Sequence, residues 1–359
     1  MRRRDRYILN GVLIGGGVAA MADIIVQWIQ HLNRGEKFTW QKFDGWRTLK
    51  WAGIGAATGG LTGYGFYRYK IGEESKLPFH SDEYLNKILT DESLNSDPKF
   101  HTAVLQSREK VKGWLAKEFN GALVQFPEDT GSFHKKTAIN SNYDLDIILP
   151  FSKNSYSTLE EMYIDVFNRV GKQFGNKATV SKQRKAIGLT FDTNQGIIHF
   201  DLVPGREIDN YAKEKELNLY QKPDWFWQKG SSHKTNVRIH KSITTNQPQA
   251  RKSIKLLKAY RERNNLNIPT IIIDQAVVEA LAETQYGVSS SISENLLNSM
   301  TVLSRKLRQK SFIDLANSNN NLHKKLDQSD KFIVADLIER DIQRVTENPM
   351  HFKEMFDVF

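Results

Sequence analysis

The chain carries Gly131-Ser132-Phe133-His134-Lys135-Lys136-Thr137-Ala138-Ile139 and, directly beyond it, Asn142-Tyr143-Asp144-Leu145-Asp146-Ile147-Ile148-Leu149. A Gly-Ser turn, a polar connection and an Asp-x-Asp on an apolar run read as the entry to a strand. Residues alternate across a strand, so Asp144 and Asp146 share one face while Leu145 and Ile147 share the other. Two carboxylates side by side repel each other, and a divalent cation between them removes the repulsion. An Asp-x-Asp alone is a weak sign, because solvated Asp pairs at strand ends are common.

The conjunction with two further features makes the sign specific. One is a third carboxylate, Asp201, in Ile197-Ile198-His199-Phe200-Asp201-Leu202-Val203-Pro204, expected on a neighbouring strand. The three aspartates would then form one metal cage. The other is the turn itself: glycine has no side chain, so the backbone of Gly131 and the hydroxyl of Ser132 can come close to a triphosphate.

The 359 residues suggest two or three domains and are ample for a core. With 51 Lys+Arg against 41 Asp+Glu the formal charge is +10, which suits nucleotide, nucleic-acid or anionic-lipid partners without choosing between them. There is no cysteine, so disulfides and thiolate metal sites are excluded, in keeping with a reducing cytosol.

Residues 1–70 differ from all that follow. Arg2, Arg3, Arg4 and Arg6 precede a mostly apolar run from Tyr7 to Ile29, long enough for a bilayer-spanning helix. Its apolar residues favour insertion by roughly −3 to −6 kcal/mol, against about +3 for Asp23 near mid-membrane. A second run, Trp51 to Tyr67, has Gly55, Gly59 and Gly63 at four-residue intervals, as Gly11, Gly15 and Ala19 are in the first. Small residues at that spacing line one helix face and let two membrane helices pack. The reading is a two-helix transmembrane hairpin. A signal peptide ending near Ala20-Met21-Ala22, a soluble glycine-rich hairpin and one lying in the interface plane are its alternatives. The arginines at the start, with Arg68 and Lys70 after the second run, place both ends in the cytoplasm, although the loop between carries basic residues too.

Residues 71–97 read as a polar linker with one short helix around Asp82 to Leu89. Residues 98–248 read as the catalytic domain. There, Phe100, Val104, Val111, Trp114, Leu115 and Phe119 recur at helical intervals after an Asp97-Pro98 start. A helix from Leu159 to Phe174 and strands Lys185 to Asp192 and Gly196 to Val203 are expected next, joined through Thr193-Asn194-Gln195. The segment after Pro204 reads as irregular, and His233 and His240 as structural. Residues 249–359 read as a helical lobe. Arg251, Lys255 and Lys258 share a face that, beside a triphosphate-binding sheet, is expected to grip phosphates. Ile271 to Leu281, Leu296 to Leu307 and Lys331 to Val345 are its other helices, with a polar turn over Asn317 to Asn321.

Asp-x-Asp after a Gly-Ser turn resembles the DNA polymerase β nucleotidyltransferase superfamily. The form Gly131-Ser132-Phe133-x-Lys135-x-Thr137-Ala138-Ile139, with His199-Phe200-Asp201-Leu202-Val203-Pro204 and Ile254-Lys255-Leu256-Leu257-Lys258-Ala259-Tyr260, resembles more closely its oligoadenylate synthetase and cyclic GMP-AMP synthase branch, called CD-NTases in bacteria. The likeness covers residues 98 to 345. It implies an α+β fold: a polymerase β-like sheet with a C-terminal helical lobe, here preceded by the hairpin. It also implies a cytosol-facing enzyme that joins nucleoside triphosphates, without a template, into a cyclic or linear oligonucleotide second messenger in antiphage defence.

In that family the residues matching Asp144, Asp146 and Asp201 hold two Mg²⁺ ions, for which Mn²⁺ can substitute. Those matching Gly131 and Ser132 contact the triphosphate, and the lysine matching Lys258 grips donor phosphates. Tyr260 stands where many relatives have tryptophan. No zinc insertion is seen, so zinc-dependent DNA sensing is not expected. The hairpin lies outside the resemblance. Its expected role is an anchor at the inner membrane, bringing the synthase to a membrane effector protein. The competing readings are a nucleotidyltransferase acting on an RNA end or a protein hydroxyl, and a membrane sensor that only binds nucleotide.

Overall fold

The computed structural model describes residues 9–10, 12–17, 19–20, 48–50, 52–54, 56–58, 60–61, 79–141, 143, 145–223, 230–242, 244–283, 288–314 and 317–357, without the side chains of 240, 241, 317–320, 324 and 325. The chain divides into two compact units. One comprises residues 1–81, 263–265 and 343–359, the other 82–262 and 266–342.

In the first unit, helical residues 9–20 and 48–61, where described, fall within the two apolar runs. A Cβ added to Gly16 would lie 3.3 Å from the Ala52 carbonyl oxygen and 3.4 Å from Ala56 Cβ, so these segments meet through small residues. Among the described residues no helix is long and apolar enough to cross a membrane. The remainder of both runs lies outside the described residues.

The second unit is built along the chain as follows. Helix α1 spans Ser81–Asp91 and α2 spans Pro98–Glu118. Asp97 caps α2 by accepting from Lys99 and Phe100 N–H at 3.0 and 3.1 Å, with proline in the first turn where no N–H is needed. The sheet then opens with β1 (Glu128–Asp129), a one-turn helix α3 (Gly131–His134) and β2 (Leu145–Phe151). Helix α4 (Leu159–Phe174) begins at Thr158, which accepts from Glu161 N–H while Glu161 accepts from Ser157 N–H. Strands β3 (Thr179–Lys182), β4 (Ile187–Thr193) and β5 (Gly196–Glu207) follow.

Beyond Pro204 the chain is more regular than expected. A short helix α5 (Tyr211–Glu214) leads into β6 (Glu216–Gln221) and β7 (Ser231–Asn236), which pair with each other while β6 also extends the sheet from β5. Leu217 and Leu219 alternate with polar residues and are buried. β7, by contrast, is polar at every position, so its strand character comes from backbone pairing alone. His233 lies there, opposite Leu219. Strand order is β1-β2-β5-β4-β3, with β6 branching from β5 and β7 pairing with β6; among the described residues β2 and β5 are the one parallel pair.

The two faces of the sheet do different work. Leu145, Ile147, Leu149, Phe200 and Leu202 pack against Val104, Val111 and Leu115 of α2 and Met162, Val166 and Val170 of α4. Burying one such side chain contributes about 1.5–3 kcal/mol. Ile148 and Val203, on the opposite face, meet Tyr211, Leu217 and Val237. That second apolar patch begins two residues beyond Asp146 and Asp201, so both aspartates lie at its edge.

The helices that follow are α6 (Val237–Ser242), α7 (Pro248–Arg263), α8 (Thr270–Ala282), α9 (Ile292–Arg308) and α10 (Gln328–Glu347, whose residues from 343 belong to the first unit), with β8 (Ile313–Asp314) and β9 (Asn317–Asn321) between α9 and α10; α11 (His351–Phe356) belongs to the first unit. The polar turn expected over Asn317 to Asn321 is therefore a strand paired antiparallel with β8. Main-chain pairing ignores side-chain polarity, and the hairpin is closed by Leu322 N–H donating to the Phe312 carbonyl at 2.8 Å. Tyr260, buried on α7, donates its hydroxyl to Asp341 of α10 at 2.8 Å. Asp82 of α1 caps α9, accepting from the N–H groups of Ile292 and Ser293 and the hydroxyls of Ser291 and Ser293.

Candidate active site

Asp146 of β2 and Asp201 of β5 are register partners on adjacent parallel strands. Neighbouring strands lie about 4.8 Å apart, and partners in register face the same way. The two carboxylates therefore share one face. Asp144, the third expected member, lies outside the described residues, and among those described no three acidic or histidine side chains form a metal cage.

The Gly-Ser segment sits on this face. Thr130 N–H donates to the Asp146 carbonyl at 2.9 Å, tying the turn to β2. Gly131 has φ +62°, and a Cβ there would fall on the Asp146 carboxylate. Only glycine satisfies both conditions. Hydrogen bonding in α3 starts with the N–H of His134, donated to Thr130, and that of Lys135, donated to Gly131. The N–H groups of Gly131, Ser132 and Phe133 precede it, as the first donors of any helix do. The Ser132 carbonyl accepts from Thr137 and Ala138 N–H at 2.9 and 3.1 Å, which folds the rest of the loop beneath the turn.

Asp201 is held by two neighbours that the motif does not contain. Gln183 Nε2 donates to its Oδ1 at 2.7 Å, and His199 Nε2 lies 3.0 Å from the same oxygen. His199 Nδ1 is 2.7 Å from Thr190 Oγ1. A neutral imidazole fits both contacts, accepting from the Thr190 hydroxyl and donating to Asp201. Gly188, opposite Asp201 on β4, leaves the room: a Cβ there would come within 2.7 Å of Ser181 Oγ and 2.9 Å of Gln183 Nε2.

Helical-lobe side chains approach the loop from below. Lys258, only 2% exposed, donates from Nζ to the Thr137 carbonyl at 3.0 Å. Burial pushes its ammonium down to about 8; the charges of Lys135 and Arg261 add to this, while Asp274 and Asp146 oppose it. Lys135 forms a buried ion pair with Asp274 of α8, whose other oxygen, Oδ1, is buried without a hydrogen-bond partner among the described residues. Two ammonium groups and one carboxylate leave a net positive charge under the Gly-Ser loop. Of the two lysines expected to touch phosphate, Lys258 thus underlies the loop. Lys255, one turn earlier on α7, lines a separate cavity with Arg251 and Lys252.

The α+β fold, a mixed sheet followed by a helical lobe, is shared with solved CD-NTase structures. Three solved structures carry the comparison. Bradyrhizobium diazoefficiens CD-NTase CdnG in complex with GTP aligns with TM-score 0.62 at 13% identity, over 77% of this chain and 95% of that one. E. coli MS115-1 CdnC in its HORMA-deltaN complex gives 0.57 at 18%, over 77% and 97%. Elizabethkingia meningoseptica CdnE cyclic dinucleotide synthase with GTP and Apcpp gives 0.52 at 15%, over 72% and 97%. No protein-family model and no curated protein sequence matches the chain.

Proposed function

We propose that the chain is a template-independent nucleotidyltransferase that joins nucleoside triphosphates into a cyclic or linear oligonucleotide second messenger. The observation that carries this reading is the pairing of Asp146 with Asp201 on one sheet face, closed on one side by the Gly131 turn. Its support from comparison is the shared fold with structures that include a cyclic dinucleotide synthase.

Hard carboxylate oxygens on adjacent strands fit Mg²⁺, with Mn²⁺ as its substitute; Asp146, Asp201 and the expected Asp144 would hold two ions. When bound, such ions neutralise phosphate charge and acidify a ribose hydroxyl. The chain's own groups then have these roles. The first N–H groups of α3 and the Ser132 hydroxyl hold the donor triphosphate, and the net positive charge of Lys135, Asp274 and Lys258 beneath them favours that anion. Both hydrogen bonds to Asp201 fall on Oδ1, so Oδ2 is available to take the proton of the incoming hydroxyl. The hydroxyl oxygen attacks the α-phosphorus, the bond to the β-phosphate oxygen breaks and pyrophosphate leaves. Alignment and charge compensation supply most of the rate.

We further infer from the two apolar runs of residues 1–70 an anchor at the inner membrane, with the catalytic residues facing the cytoplasm and serving a membrane effector in antiphage defence.

The test incubates the full-length protein in lipid with each labelled nucleoside triphosphate and Mg²⁺ or Mn²⁺, beside Asp146→Ala and Asp201→Ala. Small oligonucleotides that both variants fail to make are expected. Label found instead on RNA or protein would assign a macromolecular acceptor. Nucleotide binding with no product at all would leave a sensor.

A further inference from the structure

Glu92 follows α1 directly, in a stretch that reads from sequence as a linker, yet it is only 6% exposed. Its N–H donates to the Ile88 carbonyl at 2.9 Å, so the last turn of α1 fixes its main chain. Leu85 and Ile88 bury one face of that helix, and Asp82 ties its start to α9. Glu92 thus stands on a firm support.

From this support it holds the chain on its approach to β2. Its carbonyl accepts from Asn140 N–H at 2.9 Å. Its carboxylate oxygen Oε2 accepts from Ser141 N–H at 3.2 Å and from the Ser141 hydroxyl at 2.8 Å. The Asn140 side-chain amide adds a bond to Ser96 Oγ at 3.4 Å. Burying a carboxylate is costly unless good donors compensate it, and hydrogen bonds to an ionised acceptor are the stronger kind. Ser141 itself is exposed and brings no core packing with it, so what these bonds secure is the position of the chain.

The neighbours of Ser141 along the chain give that position its use. Ile139, upstream, is fully buried, and Leu145, downstream, is in register with Phe200 of β5. Between Ser141 and Leu145 the sequence holds Asp144. An extended chain advances at most about 3.6 Å per residue, so Asp144 stays within about 11 Å of Ser141. We propose that Glu92 is a positioning residue for the catalytic strand: by holding Ser141 it sets the point from which the chain enters β2, and with it the placement of Asp144 and Asp146 opposite Asp201. Its effect on rate rests on the nucleotidyltransferase reading above; its effect on the order of the chain does not.

The experiment compares the full-length protein with Glu92→Ala, Glu92→Gln and Ser141→Ala by hydrogen exchange in metal-free buffer, by initial rates with nucleoside triphosphate and Mg²⁺, and by thermal unfolding. Both Ser141 bonds fall on one oxygen, so the amide oxygen of Glu92→Gln can accept them. In Glu92→Ala the amides of residues 140–146 are expected to exchange about tenfold faster, and kcat to fall about tenfold with KM within about twofold of its original value. Glu92→Gln should restore both. Ser141→Ala removes one hydroxyl from a surface position and should show a smaller change of the same kind; it carries the test if Glu92→Ala does not fold. The proposal is overturned by unchanged exchange in Glu92→Ala, by a raised KM at unchanged kcat, or by Glu92→Gln as impaired as Glu92→Ala. A lower unfolding temperature with exchange and kcat unchanged would show a structural role alone and overturns it too. If the unsubstituted chain makes no product, the synthase reading fails and the exchange measurement alone decides whether Glu92 orders the approach to β2.

Discussion

Lys258 of α7 donates a hydrogen bond from Nζ to the main-chain carbonyl of Thr137, 3.0 Å away, in the loop that continues the Gly-Ser turn. The contact carries a charge in a dry place. Burial lowers the ammonium to about 8, so the free enzyme loses this charge as pH rises through that value. The folded pKa lies below the unfolded one. Burying the charged form therefore costs stability below about pH 8, and this group's contribution improves as pH rises toward the unfolded value. Activity should move the other way: kcat/KM, which reports the free enzyme, is expected to fall above about pH 8. Lys258→Arg, charged throughout, should move that limb upward. Pre-steady-state and steady-state rates from pH 6 to 10 check it.

Gln183 and His199 hold Asp201 Oδ1 from two directions. Removing such outer partners of a metal-binding carboxylate typically costs about 10–100-fold in activity or metal affinity. Gln183→Leu and His199→Ala are each expected to reduce kcat in that range and to raise the Mg²⁺ concentration needed for half-maximal rate, with a much smaller change in nucleotide KM. Metal titration of initial rates separates these effects.

Gly131→Ala introduces a methyl group where the Asp146 carboxylate stands, at a φ that alanine disfavours. We expect a loss of stability above about 1 kcal/mol together with abolished turnover. Gly121, also at positive φ but with open space around its Cβ position, provides the control: Gly121→Ala should show the backbone cost and retain activity. Chemical denaturation and product formation measure both.

Asp82 accepts four hydrogen bonds at the start of α9. Burial works against its charged form, but the bonds from Ser291, Ile292 and Ser293 prevail and hold its carboxyl below the usual aspartate range. A depressed folded pKa gives stability that is present above the unfolded value and is lost as pH falls through the folded one. Asp82→Ala should cost about 1–2 kcal/mol near neutrality and flatten the acid limb of the stability profile. Thermal unfolding between pH 2 and 7 reads this directly.

Much of the sheet was legible because its residues obey short periods. Leu159–Phe174 is the helix that spacing predicts, to the residue, and Gly196 begins β5 as the turn before it demands. The pairing of Asp146 with Asp201 was legible because both stand in apolar runs expected to form neighbouring strands. His199 was within reach of the same argument, since only Phe200 separates it from Asp201 and alternation puts the two on one strand face. Asp274 also left a trace, an acid between Ile271-Ile272-Ile273 and Ala276-Val277-Val278 in a largely apolar helix, where a buried cation is the natural partner. Gln183 left none: it reaches Asp201 across a strand pairing that no local pattern encodes. β7 was missed for a related reason, because its residues are polar and its pairing with β6 is decided by neighbours distant in sequence.

β5 pairs with β2, β4 and β6, and along its length every second residue belongs to the core while Asp201 belongs to the site. A slip of one position would turn Phe200 and Leu202 toward the aspartate face and drive the acid into the apolar layer against α2 and α4. Correct threading of this strand is thus inspected twice, once by packing and once by chemistry. A misassembled chain would be silent as well as unstable, a safeguard of value in any protein whose untimely output would act as an alarm.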